Sequence, residues 1–87
     1  MPWTLRFARR AQKDIASLLP EDRAAVQRAL ARLADDPGSV DLRKLAGRSD
    51  EWRMRVGMWR VRLVVHSDLG VLEVSRVLRR DDNTYRS

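Results

Sequence analysis

Apolar Trp3, Leu5 and Phe7 alternate with Thr4 and Arg6, which predicts a short half-buried strand. From Ala8 the period lengthens. Ala8, Ala11, Ile15 and Leu18 fall on one helical face, and this helix is expected to stop before Pro20, because proline disfavours helical geometry in the preceding residue. Pro20 in turn suits the first position of a second helix, with Glu21 and Asp22 in its positively polarised first turn. The apolar stripe of that helix is Val26, Ala29, Leu30 and Leu33, and Asp35-Asp36-Pro37-Gly38 ends it. Together the two make an antiparallel helical hairpin with one apolar side.

After a short polar stretch, Leu42 to Leu45 reads as extended chain, and Gly47-Arg48-Ser49-Asp50 reads as a turn. Two strands follow, Trp52 to Val56 and Trp59 to Val65, joined at Gly57-Met58 by a connection of hairpin length. Ser67-Asp68-Leu69-Gly70 is a further turn, leading into a strand from Val71 to Leu78. The tail from Arg79 to Ser87 is polar, without clear periodicity, and no repeat, linker or low-complexity tract interrupts the chain. A strand, two helices and a run of strands with short connections imply an α+β domain spanning residues 1–87. Its helical hairpin should pack on one face of a largely antiparallel sheet of four or five strands.

Parity then sorts the side chains. Trp52, Met54, Val56, Trp59, Val61, Leu63 and Val65 would face the helices, leaving Arg53, Arg55, Arg60 and Arg62 on the opposite, open face. In the last strand Leu72, Val74 and Leu78 alternate with Val71 and Val77, so both of its faces are expected to be partly buried, as in a central strand.

Composition sharpens the meaning of the open face. The 87 residues carry a formal charge of +6 and a pI near 11.2, and of 18 cationic side chains all but Lys13 and Lys44 are arginine. Guanidinium is planar, weakly hydrated and matched to phosphate, which points to a polyanionic partner. The plain alternative is a solvated surface that discourages edge-to-edge pairing. With no cysteine and one histidine, neither a disulfide framework nor a metal site is expected, and a chain this short buries only about 60% of its unfolded surface. No apolar run approaches a membrane span, so a cytoplasmic protein without a membrane partner is the default reading.

Three segments carry a family resemblance: "KLAG" at residues 44–47, "WRMRVGMWRVRLVV" at residues 52–65 and "RRDDNTYR" at residues 79–86. In this order and spacing the chain resembles the RelE/ParE superfamily of toxins from bacterial type II toxin–antitoxin pairs. The resemblance implies a compact sheet with a helical hairpin, a cognate antitoxin as partner, and one of two activities. RelE-like members cleave messenger RNA on the ribosome by attack of a 2′-hydroxyl on the adjacent phosphate, without metal or cofactor. ParE-like members inhibit DNA gyrase by binding, without nuclease chemistry.

Carried over by motif, the RelE-like catalytic positions fall on Arg53, Arg55, Arg60, Arg80 and Tyr85, with Arg79 in place of Arg80 if the strand ends a residue earlier. Arg60 would clamp the scissile phosphate, Arg80 or Arg79 would serve the leaving oxygen, and Tyr85 would stack on a base beside the cut. Arg53 and Arg55 would also bind phosphate, and Lys44, Arg62 and Arg79 would contact RNA. Arginine is a poor base, which leaves Glu51, Glu73 and His66 as titratable candidates for accepting the 2′-hydroxyl proton. The RelE-like reading requires messenger RNA and the ribosome as partners, the ParE-like reading DNA gyrase. The antitoxin is expected to cover the basic face with an acidic or amphipathic segment, or to displace the C-terminal tail.

Overall fold

Among the described residues, five strands and two helices follow in the order β1 (Thr4–Phe7), α1 (Arg9–Ala16), α2 (Pro20–Asp35), β2 (Leu42–Lys44), β3 (Glu51–Val56), β4 (Trp59–His66) and β5 (Val71–Arg79). One turn of 3-10 helix at Pro37–Ser39 links α2 to β2. The computed structural model describes residues 3–45 and 50–79. The turn expected from Gly47 and the tail beyond Arg79 lie outside the described residues.

The strands form one sheet in the order β1-β5-β4-β3-β2. Four of them make an antiparallel meander, and β1 pairs with β5 in parallel, Leu5 opposite Leu72 and Phe7 opposite Val74. The mixed pairing follows from connectivity. The chain leaves β1 through both helices, enters at the far edge as β2, and reverses three times, so that β5 returns beside β1 in the same direction. A two-residue connection, Gly57-Met58, closes the β3–β4 hairpin. Gly57 has φ +56 while Met58 stays at negative φ, the pattern of a type II′ turn, which matches the twist of its strands.

Helix stripe and strand parity meet in one core. Ala11 and Leu18 from the first helical segment and Val26, Leu30 and Leu33 from α2 are buried against Met54, Val61, Leu63, Leu72, Val74 and Val77. Trp52, Val56, Trp59 and Val65 pack at its border. The expected helix-facing set is therefore the observed one. Each fully buried Leu or Met contributes about 1.5–3 kcal/mol relative to exposure.

Two arginines join the helices to this frame. Arg23 in α2 donates from Nε to the Ile15 carbonyl (3.2 Å) and from NH2 to the carbonyls of Ala16 (3.1 Å) and Leu18 (2.8 Å). These acceptors lie at or just past the C-terminal end of α1, where helical carbonyls lack intrahelical donors. Arg76 in β5 grips Asp14 of α1, Nε to Oδ2 at 2.8 Å and NH2 to Oδ1 at 3.3 Å, and the Val77 amide donates to Oδ2 at 2.9 Å. Burial pushes the Asp14 carboxyl up, but the Arg76 hydrogen bond, the Val77 amide and the charges of Arg76 and Arg10 outweigh it and hold the group below its ordinary value. The Asp14 hydrogen bond raises the Arg76 guanidinium in return.

A β-bulge makes the second of these contacts. Leu63 faces Val74 while Arg62 faces Arg76, so Ser75 and Arg76 together lie opposite Arg62. The extra residue switches parity within β5: Leu72 and Val74 before it and Val77 after it are all buried, whereas Val71 and Leu78 are half-buried. The ambiguous alternation of the sequence is thus a bulge in an interior strand, with both faces partly covered.

Candidate functional site

The open face of the sheet is built by register. In the β3–β4 hairpin Arg53 lies opposite Arg62 and Arg55 opposite Arg60, and on the next strand Arg43 lies opposite Arg53. Directly opposed residues have Cβ atoms about 5 Å apart, and like charges placed so are mutually destabilising. Arg43, Arg53 and Arg62 thus form one row across three strands, with Arg55 and Arg60 in the adjacent row. On β5 Arg76 lies opposite Arg62, and its guanidinium is taken up by Asp14.

Between the rows, Asp41, Arg43, Arg53, Arg55 and Arg60 line a shallow polar pocket of about 20 Å³. Asp41 precedes β2, held by a hydrogen bond from the Arg55 amide to its carbonyl at 3.0 Å. Its carboxylate spans two strands, Oδ2 at 3.7 Å from Arg55 Nε and Oδ1 at 3.8 Å from Arg43 Nε. Four guanidinium groups around one carboxylate leave this small concavity with an excess of positive charge that favours an anion at its mouth.

The sequence-derived set divides on this frame. Arg53, Arg55, Arg60 and Arg62 share the open face as expected. Lys44 does not join them: it lies opposite Trp52 in the register, with the parity of Leu42 and the core-facing residues. Arg79 also lies apart from Arg60. The residue opposite Arg60 is Leu78, while Arg79 faces Trp59 with its guanidinium carbon 5.8 Å from the indole centroid, a cation–π contact. Arg80 and Tyr85 lie outside the described residues.

Of the three base candidates, Glu73 and His66 lie away from the pocket, while Glu51 lies two positions along β3 from Arg53, which lines it. His66 Nε2 is 3.0 Å from Glu73 Oε1, and Arg6 NH2 approaches the same oxygen at 3.8 Å. This cluster occupies the other end of the open face, His66 being six positions beyond Arg60 along β4, or about 20 Å. Glu51 pairs with Val64, and lies four positions from Arg55, or about 13 Å. Sequence reasoning missed Asp41 and Arg43. The signal was available: with Leu42 apolar and core-facing, its two neighbours must take the parity of the arginines.

Comparison with known proteins follows the same frame. The sequence model of a family described as "ParE toxin of type II toxin-antitoxin system, parDE" matches residues 5–84. The chain belongs to this family. Among curated proteins no match was found. Solved structures place the toxin within the wider RelE/ParE superfamily. A chain of the RelBE2 toxin–antitoxin complex from Mycobacterium tuberculosis is 28% identical with a TM-score of 0.79, covering 92% of this toxin and 100% of that chain. A chain of the archaeal RelE–RelB complex from Pyrococcus horikoshii is 22% identical with a TM-score of 0.78, over 92% of this toxin and 97% of that chain. The isolated RelE toxin of E. coli, at 20% identity and a TM-score of 0.76 over 97% of each chain, shares the fold.

Proposed function

We propose that this toxin is a metal-independent, ribosome-dependent messenger RNA endonuclease of the RelE type, neutralised by a cognate antitoxin. The observation that carries the reading is the convergence of Arg43, Arg53, Arg55 and Arg60 on one pocket beside Arg62. Cleavage by a 2′-hydroxyl passes through a phosphorane with an extra negative charge, and opposed guanidinium groups stabilise that charge more than the ground-state phosphodiester. Arg60 clamps the scissile phosphate, with Arg53 and Arg55 on the flanking oxygens and Arg62 on the neighbouring backbone. Arg80 serves the leaving 5′-oxygen and Tyr85 stacks on a base beside the cut, as the family motif suggests. Lys44 and Arg79 contact RNA from outside the pocket.

An antitoxin partner is supported by the solved complexes named above, each a toxin bound to its own antitoxin. The basic face is suited to an acidic segment of such a partner. The test is primer extension on a defined messenger RNA incubated with the toxin, with and without translating ribosomes. Cuts that require ribosomes are expected, and a toxic, folded preparation that makes none would turn the assignment to DNA gyrase, to be read in a supercoiling assay.

A further inference from the structure

The arginines leave one step of the proposed cleavage without a group. A guanidinium keeps its proton to above pH ~12, so none of the five can accept the 2′-hydroxyl proton. Glu73 and His66 lie about 13 Å or more along the strands from Arg60, and Glu51, about 7 Å along β3 from Arg53 and about 13 Å from Arg55, does not line the pocket. Among the described residues, Asp41 is the carboxylate that lines the pocket with Arg43, Arg53, Arg55 and Arg60. Its two oxygens lie 3.7 and 3.8 Å from the nearest guanidinium nitrogens, beyond direct hydrogen-bond distance, and its side chain is 46% exposed. The carboxylate is therefore held in place by charge while its lone pairs stay open to an incoming hydroxyl.

We infer that Asp41 is the proton acceptor for the 2′-hydroxyl, an inference that rests on the nuclease reading above. The carboxylate takes the hydroxyl proton as the 2′-oxygen bonds to phosphorus, and the bond from phosphorus to the 5′-oxygen breaks. The leaving oxygen takes a proton from water, and the proton on Asp41 returns to the hydroxide so formed. The products are a 2′,3′-cyclic phosphate and a 5′-hydroxyl, without net proton uptake. The arginines fix the phosphate beside Asp41 and offset the charge that develops as the proton leaves.

Single-turnover cutting of a defined messenger RNA on programmed ribosomes, followed from about pH 5 to about pH 9, tests this with wild type, D41N and D41H. D41N is expected to cut about 10²- to 10⁴-fold more slowly while sedimenting with ribosomes as before. D41H is expected to recover part of the rate, with its acid limb moved up toward pH ~6.5, a change that a residue merely fixing Arg55 does not produce. A D41N toxin that cuts within about threefold of an active wild type overturns this inference alone. So does a D41H toxin that is inactive or keeps the wild-type limb. A wild-type toxin that leaves ribosomal messenger RNA intact overturns the nuclease reading and this inference together.

Discussion

Arg23 and Arg76 on the helix side of the sheet differ from Arg53, Arg55, Arg60 and Arg62 on its open side in what surrounds each guanidinium. Arg76 is matched to the Asp14 carboxylate, and Arg23 to three carbonyls around the end of α1. On the open side the register sets arginine against arginine, Arg53 to Arg62 and Arg55 to Arg60. The helix-side arrangement matches each guanidinium to acceptors, whereas the open-side register opposes like charges that Asp41 offsets beside Arg43 and Arg55. Residue type alone does not separate the two roles, and neither does register, since Arg76 itself lies opposite Arg62; the carboxylate or carbonyl that each guanidinium meets does.

The sharpest break between the two sets is expected from Arg60→Ala. It should slow cleavage by the folded toxin about 10²- to 10³-fold, or roughly 3–4 kcal/mol in the transition state. Next comes Asp14→Asn, which removes the charge facing Arg76 and one acceptor from Val77. It should cost about 2–3 kcal/mol in denaturant titrations and leave ribosome-dependent cutting of the folded fraction intact.

The same variant carries a pH signature. Asp14 titrates below its ordinary 3.8 in the folded chain, so its contribution is complete above that value and is lost as pH falls through the folded value. The stability gap between wild type and Asp14→Asn should accordingly be constant near neutrality and shrink in acid below pH 3.8. A gap that persists unchanged to low pH would mean that the carboxylate charge is not what holds Arg76. Arg23→Met, which removes the side-chain donor from the Ile15, Ala16 and Leu18 carbonyls, should cost about 1–2 kcal/mol by the same titration. Smallest is Arg62→Gln. Relief of like-charge opposition should stabilise the toxin by about 0.2–1 kcal/mol at low salt, fading as salt is raised.

Most of the frame was legible because each element declares itself by period. The shift from alternation at Trp3–Phe7 to helical spacing after Ala8, and Pro20 at the start of α2, fixed both helices to within a residue or two. The two-residue connection at Gly57-Met58 set the β3–β4 register, and with it the opposition of Arg53 to Arg62. What parity could not carry was β5. A bulge adds one residue without any composition signal, so neither the burial of Val77 nor the turn of Arg76 toward Asp14 follows from alternation. The contacts of Arg23 and Asp14 were hidden for a related reason, since each depends on how the helices sit on the sheet. At the site, the strand arginines were legible by parity, while Lys44, expected to contact RNA, has the parity of Leu42.

The division between the two sets of arginines is tested most directly by the ribosome-dependent cutting of folded Arg60→Ala, compared at equal concentration with wild type. A native melting curve with cuts reduced at least about a hundredfold is the predicted result. Wild-type cutting by Arg60→Ala would contradict it, and would leave the arginine face a docking surface without chemistry.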